Sequence, residues 1–467
     1  MFLSIARSIA DDILRGRLKP GAPLPGSRTL AASLGVHRNT VLAAYHELEA
    51  EGFTEATAAR ATRVSTELPR ERAHTPRAQG HALDRVGFDL GPAQSCTLTS
   101  AGVPKGAISL FGGSPDLTSV PTPALARAYR RALRSPTVPL GYGDPQGEHR
   151  LRAALADMVR ASRGLSATAD DVLVTRGSQM ALYLAARTLL SPGDVVLVEA
   201  LGYRPAWEAL RAGGAELVPV PVDPEGVDVE AVLRVVLSRR VRAIYLTPHH
   251  QYPTTRLLSQ ARRRELLLLA KRHRFAILED DYDHEFHYDK KPVLPLASQD
   301  EAGVVVYFAT LSKILAPGLR LGFVVAPRPV LERMTSYRAL VDRQGDRVVE
   351  LAVAELAEDG EIERHARRMR RVYAQRRTTF IDLLRRHLGG VLDFEPPAGG
   401  MAVWVHAPGV DVDAWAARAE AAGVMVQTAK RFGFDGRRRP FLRLGFAGED
   451  ERRLRLGVER LARSLPR

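Results

Sequence analysis

The sequence predicts a multidomain protein, with an all-α N-terminal domain ahead of a larger α/β domain built on a mostly parallel sheet. The chain has 467 residues, which is more than a single hydrophobic core usually serves. Apolar residues in the first 66 positions recur at helical spacing. From residue 107 onward, periodic helices alternate with short runs of Val, Ile and Leu. Such runs are typical of strands that are covered on both faces.

Composition shifts suggest three segments, and the last one has two parts. Residues 1–66 form the helical domain, and residues 67–106 mix Pro, Gly, Ala, Ser and Arg without periodicity, as a linker does. Residues 107–467 form the α/β domain. We expect its large part to run to about residue 340, followed by a small α+β part from about residue 341.

Charge and cysteine content narrow the class of protein. The net charge is +14 and the pI is about 10.2, which permits a nucleic-acid partner without proving one. A single cysteine excludes an intrachain disulfide framework and favours a reducing compartment. No apolar run approaches the roughly 20 residues that a membrane span needs. We therefore expect a soluble cytoplasmic protein with no membrane partner.

The N-terminal residues predict three helices and a small hairpin. Isoleucines recur every four residues from Ile5 to Ile13, and Ser27 is the predicted N-cap of a second helix. Gly35 then supplies a tight turn, and a third helix begins near His37. The predicted inward residues are Leu30, Ala31 and Leu34 on the second helix, and Val41, Ala44, Tyr45 and Leu48 on the third. This arrangement suits a recognition helix in the DNA major groove, although a three-helix packing unit without a ligand remains an alternative.

The stretch LPGSRTLAASLGVHRNTVLAAYHELEAEGF, residues 24–53, resembles the winged helix-turn-helix of GntR-type bacterial regulators. The resemblance implies that Arg28 contacts a phosphate and Arg38 a base edge, with Asn39 and Thr40 beside them at the helix start. Two features depart from the family pattern. His37 stands where a capping Ser is usual, and the wing ATAARATRV lacks a Gly-Ser-Gly turn.

Lys313 is the predicted reactive residue of the α/β domain. It lies just past the apolar run 304–308, at a strand end, where open α/β sheets place their ligands. Thr310, Ser312 and Arg320 flank it with groups that suit a phosphate. Only seven of the 67 Lys and Arg residues are Lys, and an amine can lose its proton whereas a guanidinium cannot. These features suggest a Schiff base with pyridoxal phosphate.

Other strand ends carry polar residues that could surround such a cofactor. Ser178 and Gln179 follow a strand and open a helix, which creates an anion site, and Tyr203 could stack on a planar ring. Residues 279–283, EDDYD, crowd carboxylates at another strand end, which is costly unless a cation is near. A divalent metal is one candidate, but the missing His spacing and the Lys313 context favour a pyridinium nitrogen, so we predict no metal.

Six motifs, taken in order, resemble those of the fold-type I pyridoxal-phosphate aminotransferases over residues 107–467. They are GYGDPQG, TRGSQ, EALGY, TPHHQYPTT, EDDYDHEF and TLSKILAPGLRLGF. The resemblance implies that Lys313 forms the internal aldimine and that Asp280 pairs with the ring nitrogen. It also implies that Tyr282 donates to the phenolic oxygen and that Tyr203 stacks on the ring.

The same resemblance assigns the phosphate and the substrate carboxylate. The implied phosphate cup consists of Ser178, Gln179, Thr310, Ser312 and Arg320. Tyr142 resembles the Tyr that reaches the phosphate from a partner subunit, which implies a homodimer. Arg443 lies in an apolar strand and matches the Arg that binds the α-carboxylate, although an internal Asp or Glu partner is an alternative.

One stretch departs from the aminotransferase pattern. The usual Pro-Thr-Gly reads Pro253, Thr254, Thr255, and Tyr252 replaces the Asn that commonly precedes the Pro. A side chain at residue 255 requires the turn either to avoid positive φ or to accept strain.

A DNA-binding module ahead of an aminotransferase-like domain resembles the plan of MocR-type regulators. The resulting prediction is a pyridoxal-phosphate-dependent transcriptional regulator that binds a double-stranded DNA operator. It would sense an amine, an amino acid or pyridoxal phosphate by aldimine chemistry at Lys313, without requiring net turnover. The alternatives are an active aminotransferase that carries a DNA-binding domain, and a DNA-binding protein whose second domain is an empty scaffold.

Overall fold

The computed structural model describes residues 1–56, 62–68, 86, 88–89, 102–134, 140–288 and 293–466. It divides the chain into two compact units, Met1–Ser95 and Cys96–Arg467. Residues 57–61 of the predicted wing and most of the predicted linker lie outside the described residues. The segment boundaries at residues 66 and 106 therefore stay predictions.

The N-terminal unit contains three helices and a short hairpin. Its elements are α1 (Phe2–Leu14), α2 (Ser27–Leu34), α3 (Arg38–Ala50), β1 (Thr54–Ala56) and β2 (Thr62–Val64). The two strands pair antiparallel, which confirms the predicted hairpin. Residues buried between the elements are Ala6, Ala10, Ile13, Leu24, Ala31, Val41, Ala44, Tyr45, Leu48, Phe53 and Val64. The predicted stripe on α3 is thus confirmed in full.

Two details of α2 differ from the prediction. Its N-cap is Gly26, and Ser27 is the first helical residue, so the predicted Ser27 cap is wrong. The Ser27 hydroxyl instead accepts a hydrogen bond of 3.3 Å from Arg38 Nε. Leu34 is 48% exposed rather than inward, because this eight-residue helix turns only its Ala31 side fully into the small core.

The second unit is an α/β structure with a large sheet and several small ones. Its strands are β3 (Ile108–Ser109), β4 (Val172–Thr175), β5 (Val195–Glu199), β6 (Glu216–Val220), β7 (Val222–Asp223), β8 (Gly226–Val227), β9 (Val241–Leu246), β10 (Ala276–Asp281), β11 (Val305–Thr310), β12 (Gly322–Val325), β13 (Ala402–His406), β14 (Val424–Met425), β15 (Gln427–Thr428) and β16 (Phe441–Gly445). Its helices are α4 (Thr122–Arg134), α5 (His149–Arg163), α6 (Ser178–Leu189), α7 (Arg204–Ala212), α8 (Val229–Ser238), α9 (Gln260–His273), α10 (Arg328–Val341), α11 (Arg347–Glu358), α12 (Glu361–Leu388), α13 (Val412–Ala421) and α14 (Glu451–Arg463).

The large sheet has seven strands in the order β4-β12-β11-β10-β9-β5-β6. Only β12 runs antiparallel to its neighbours, β11 and β4, so the predicted mostly parallel sheet is confirmed. The sequence analysis did not identify β12, because the four residues GFVV follow a Gly- and Pro-containing loop too closely to stand out as a separate apolar run.

Each strand of this sheet contributes to two hydrophobic layers. Along β10, Ile277 lies in one buried cluster and Leu278 in the other. Because successive side chains of a strand point to opposite faces, Asp280 shares the face of Leu278 and Asp281 the face of Ile277. One strand end therefore presents adjacent carboxylates to two different environments.

The C-terminal part packs on a separate core. Strands β13, β16 and β15 form an antiparallel sheet, and β14 pairs in parallel with β3 from the start of the unit. Ile108 and Leu110 accordingly lie in the same buried cluster as Leu442 and Leu444. This part carries Arg443 on β16.

The start of α3 generates a stability prediction. His37 is the N-cap of α3, and its Nδ1 accepts a hydrogen bond of 3.3 Å from the Asn39 backbone N–H. Replacing a capping side chain by Ala usually costs about 1 kcal/mol of helix stability. We expect His37→Ala to speed amide exchange about fivefold in peptides covering 37–44, as measured by hydrogen–deuterium exchange. His46→Ala, on the exposed side of the same helix, is the control. Equal exchange in wild type and His37→Ala would show that the cap contributes nothing.

Candidate functional site

Lys313 lies immediately after β11, and its amine is held by backbone. Lys313 Nζ donates a hydrogen bond of 2.7 Å to the carbonyl of Gly113. Burial, followed by the nearby positive charge of Arg443, lowers the pKa of Lys313 to about 8. A lysine with such a pKa holds a useful fraction of neutral amine near neutral pH, which nucleophilic attack on a carbonyl requires.

Asp280 lies on β10 with one oxygen bonded and the other free. Its Oδ2 accepts a hydrogen bond of 2.8 Å from the Tyr245 hydroxyl on β9. Its Oδ1 is buried and has no hydrogen-bond partner within the described residues. Burial raises the pKa of Asp280 to about 7. An unpaired buried acceptor costs about 1–3 kcal/mol, so this oxygen suits an N–H donor such as a protonated ring nitrogen.

Of the predicted phosphate residues, Ser178, Gln179 and Arg320 lie at the start of α6. Ser178 is the first residue of that helix, after Gly177 at φ +78°. The Arg320 guanidinium lies so close that a Cβ on Gly177 would be 3.1 Å from Nη2. The Thr310 hydroxyl donates to Ser312 Oγ at 2.9 Å. Helix N–H groups, hydroxyls and a guanidinium are all groups that suit an anion.

Gln179 has a second structural task. Its Nε2 donates a hydrogen bond of 2.9 Å to the carbonyl of Pro205 in the first turn of α7. Tyr203 is the N-cap of that helix, so the side chain of Gln179 ties the start of α6 to the segment that carries Tyr203.

Three tyrosine rings, those of Tyr203, Tyr252 and Tyr282, pack edge to face near Lys313. The rings of Tyr203 and Tyr252 meet edge to face with centroids 5.5 Å apart, and burial raises the pKa of Tyr203 to about 12. The ring of Tyr282 lies 6.2 Å from that of Tyr252. The Tyr282 hydroxyl donates to the His250 carbonyl at 2.8 Å. In this conformation its only proton is therefore engaged by backbone rather than directed at another acceptor.

Arg443 is 1% exposed and carries an unpaired charge. Its Nε and Nη1 have no hydrogen-bond partner, and it makes no ion pair with a carboxylate in the described part of the chain. Its guanidinium carbon lies 4.5 Å from the centroid of the Tyr252 ring. A Cβ on Gly112 would lie 1.9 Å from Nη1, so only glycine leaves room for this side chain. A buried unpaired guanidinium is costly and suits an incoming carboxylate.

Tyr142 does not lie with the residues around Lys313. It is 76% exposed, and the guanidinium carbon of Arg343 lies 3.9 Å from its ring centroid. Its expected contact with a phosphate in a partner subunit stays a prediction.

Several residues that support the site were not predicted from the sequence. Tyr245 bonds Asp280, and His250 Nδ1 lies 2.7 Å from Asp283 Oδ1 in a buried pair. A signal for Tyr245 existed, since a tyrosine inside a strand buried on both faces needs a partner for its hydroxyl. His250 and Asp283 gave no such signal, because 33 residues separate them in the sequence.

The sequence left open whether the turn at Thr255 avoids positive φ or accepts strain. Thr255 adopts φ +61°, and its hydroxyl donates to the carbonyl of Thr254 at 2.6 Å. A non-glycine residue in the left-handed region costs on the order of 1–3 kcal/mol. The chain thus accepts strain where the aminotransferase pattern has glycine.

In the N-terminal unit, the predicted DNA-contacting residues lie at adjoining helix starts. Arg28, Arg38 and Asn39 are exposed, and Thr40 is half-buried. Neither arginine makes an ion pair among the residues that the structure describes. The hydrogen bond from Arg38 to Ser27 links α3 to α2. His37 performs the capping role of the usual Ser, so that departure leaves the helix start intact.

No helix in the described ranges is long and apolar enough to cross a membrane.

Comparisons with known proteins bear on both units. Residues 3–64 match the family "Bacterial regulatory proteins, gntR family", and residues 111–461 match "Aminotransferase class I and II". Over 467 residues the chain is 33% identical to the probable rhizopine catabolism regulatory protein MocR of Rhizobium meliloti. That alignment covers 99% of this chain and 93% of the relative.

Solved structures resemble the second unit. α-Aminoadipate aminotransferase LysN from Thermus thermophilus, complexed with N-(5'-phosphopyridoxyl)-L-leucine, gives a TM-score of 0.72 at 31% identity. The match covers 78% of this chain and 93% of that structure. The multiple substrate aminotransferase from Thermococcus profundus gives a TM-score of 0.74 at 29% identity, over 80% of this chain and 96% of that structure.

These matches confirm the predicted fold class, a GntR-type helix-turn-helix region followed by a fold-type I aminotransferase-like domain. The full-length match to a regulator joins the two parts in one architecture. The chain belongs to the MocR-type transcriptional regulators.

Proposed function

We propose that this regulator holds pyridoxal 5'-phosphate at Lys313 and binds a double-stranded DNA operator through the starts of α2 and α3. An amine or amino acid that displaces Lys313, or pyridoxal phosphate itself, would act as its signal. The observation that carries the proposal is the set of buried, unpartnered polar groups around Lys313. These are Asp280 Oδ1 and the Nε and Nη1 atoms of Arg443.

The residues around Lys313 suit each part of the cofactor. Asp280 Oδ1 would accept the ring N–H, and the carboxylate charge would keep that nitrogen protonated. The start of α6 with Arg320 would hold the phosphate, and Tyr203 would lie against the ring. When bound, the cofactor supplies an aldehyde that condenses with amines and a ring that withdraws electrons. The structure of LysN with a phosphopyridoxyl amino acid supports this assignment by analogy.

Arg443 and its neighbours suggest the class of effector. A guanidinium that lacks a carboxylate partner would bind the α-carboxylate of an amino acid. Aromatic rings border Arg443. The ring centroid of Tyr252 lies 5.5 Å from that of Tyr203 and 5.4 Å from that of Phe432. Tyr252 covers one face of the guanidinium, which leaves the N–H donors in the guanidinium plane for a carboxylate.

An active aminotransferase with a DNA-binding region is the second candidate. Lys313, Asp280 and Arg443 together provide the amine, the ring-nitrogen partner and the carboxylate anchor that a transamination half-reaction needs. Steady conversion of an amino acid with a keto acid would favour the enzyme. Displacement of Lys313 without product would favour the sensor.

We further propose a homodimer in the cytoplasm, with two DNA-reading units per dimer. The exposure of Tyr142 agrees with a role in the site of a second copy. A signal that binds one conformation of the dimer better than another would shift the spacing of the two DNA-reading units. Such coupling requires differential binding and no turnover.

Lys313→Ala tests the cofactor attachment. We expect the purified variant to lose the yellow colour of the wild type, because no other amine occupies this position, and borohydride labelling with peptide mapping should place the tag on Lys313. Lys271→Ala, at an exposed position of α9, is the control and should remain yellow. A tag on another lysine, or none in the wild type, would exclude the sensor and leave the scaffold alternative.

Arg38→Ala tests the DNA interface. A side chain that contacts a base edge contributes about 1–3 kcal/mol, so we expect operator affinity to fall between about fivefold and 150-fold in a gel-shift titration. The cofactor content should not change. Arg7→Ala, exposed on α1, serves as the control. Wild-type affinity in Arg38→Ala would mean that another element reads the operator.

The pKa of Asp280 predicts a pH dependence for the cofactor-free protein. Burial raises this pKa from 3.8 to about 7, so the folded state binds more protons than the unfolded state between these values. The contribution of Asp280 to the free energy of unfolding is therefore fully present below pH about 4. It is lost as pH rises through about 7, and the loss is at most about 4 kcal/mol.

Thermal unfolding at several pH values would measure this slope. Asp280→Asn should flatten it relative to wild type, whereas Asp157→Asn, on the exposed side of α5, should not. Pyridoxal phosphate should also flatten it, because a positive ring nitrogen would favour the ionised carboxylate. Identical slopes in wild type and Asp280→Asn would contradict the raised pKa.

A further inference from the structure

A second polar cluster lies on the opposite face of β10 from Asp280. His249 follows β9, Asp281 ends β10, and His284 lies in the turn beyond. All three are buried, at 3%, 2% and 2% exposure. One potential ligand atom from each lies within 4.8 Å of the other two. Neither the DNA interface nor the site at Lys313 uses these side chains.

The hydrogen bonding of His284 determines which of its nitrogens is free. Its Nε2 lies 3.3 Å from the Ser162 carbonyl, an acceptor that requires the N–H on that atom. Its Nδ1 lies 3.0 Å from Asp281 Oδ2, a separation at which protonated His284 and the carboxylate form an ion pair. When His284 is neutral with its proton on Nε2, the lone pair of Nδ1 faces Asp281 Oδ2, and a cation bound there would attract both atoms. A ring N–H bonded to backbone is also how proteins orient a metal-binding histidine.

The other two residues also have free ligand atoms. Both ring nitrogens of His249 and the Oδ1 atom of Asp281 are buried without a hydrogen-bond partner. The second Asp281 oxygen, Oδ2, accepts a hydrogen bond of 2.7 Å from the Tyr307 hydroxyl. Each unpaired buried group costs on the order of 1–3 kcal/mol. A cation that contacts several of these acceptor atoms would therefore stabilise the arrangement.

We propose that His249, Asp281 and His284 bind one divalent transition-metal ion of the zinc class. Two imidazoles and one carboxylate form a nitrogen and oxygen set that zinc prefers. Tetrahedral metal–ligand bonds of about 2.0–2.2 Å put the ligand atoms roughly 3.4 Å apart. A pair at the full 4.8 Å would therefore have to approach by roughly 1.4 Å. Movement of the His249 ring toward the other two residues would break no hydrogen bond, because its nitrogens make none.

The surrounding cations do not prevent metal binding. Arg163 Nε lies 4.0 Å from Asp281 Oδ2, but its Nη2 is paired with Glu285. The Arg263 guanidinium donates to the backbone carbonyls of Leu258, Leu294 and Pro248. The positive charge of Arg163 is thus compensated by Glu285, and Arg263 is held away from the cluster by backbone.

A proton is the competing occupant. Protonated His284 would form an ion pair with Asp281, and the negative Asp281 raises the pKa of His284 against the effect of burial. That ion pair would satisfy His284 Nδ1 and Asp281 Oδ2. It would leave both nitrogens of His249 and Asp281 Oδ1 unpartnered, whereas a metal ion engages a nitrogen of His249 and an oxygen of Asp281.

The position of the site suggests what the ion would do. Asp280 and Asp281 are consecutive on β10, and the His249 ring contacts that of His250 with centroids 4.5 Å apart. His250 in turn pairs with Asp283. An ion would therefore cross-link the ends of β9 and β10 directly behind the residues that face Lys313. It would be a structural ion, and it revises the prediction of no metal, which considered neither His249 nor the fold that brings it to Asp281.

Metal content of the full-length protein tests the proposal. The purified chain would be stripped with a chelator, loaded separately with Zn²⁺ and Co²⁺, desalted, and measured by inductively coupled plasma mass spectrometry. We expect about one ion per chain, and for Co²⁺ the visible absorption of a site with nitrogen ligands. The variants His249→Gln and His284→Gln keep a polar side chain and should each reduce metal content at least fivefold. His149→Ala, at the exposed start of α5, should retain it.

Thermal unfolding separates loss of the site from loss of the fold. Zn²⁺ should raise the melting temperature of wild type and of His149→Ala, and leave folded His249→Gln and His284→Gln unchanged. Wild type that holds less than about a tenth of an ion per chain would overturn the proposal in favour of the proton. Equal metal content in wild type and both Gln variants would overturn it in favour of binding elsewhere.

Discussion

The second unit depends on a costly arrangement, a carboxylate and a guanidinium that are both buried near one lysine without pairing with each other. Asp280 has one hydrogen bond from Tyr245, and Arg443 has an aromatic face from Tyr252. Neither contact satisfies the group in full. A fold can retain such groups only when the surrounding structure over-determines their positions, and here a parallel sheet and a separate C-terminal core provide that support.

The geometry of the sheet explains why two neighbouring carboxyl groups have pKa values shifted in opposite directions. Because side chains alternate along β10, Asp280 faces Tyr245 and the amine of Lys313, whereas Asp281 faces Tyr307 and two histidines. Burial raises the pKa of Asp280 to about 7. The neighbouring His284 instead holds the pKa of Asp281 far below its usual range. The same residue type therefore behaves in opposite ways, and the cause is the face of the strand rather than the local sequence.

Two further features of this unit are a strained turn and an aromatic ring stacked on the buried guanidinium. Thr255 lies at φ +61°, and Tyr252 lies over the guanidinium that would anchor a carboxylate. The output of a regulator is a change in the population of conformations, whereas the output of an enzyme is a flux of product. This physical difference is why the same scaffold can serve either sensing or catalysis.

The sequence by itself determined the order of the parts, the alternation of apolar strands with helices, the helix-turn-helix pattern, and Lys313 with its flanking hydroxyls. These features are local, because periodicity and strand ends lie within short stretches of chain. Tertiary structure alone decided that Tyr245 bonds Asp280, that His250 pairs with Asp283, that Arg443 lacks a carboxylate partner, and that His249 meets His284. Residues far apart in the chain make each of these contacts, and their energies depend on burial and facing direction, which no short stretch of sequence contains.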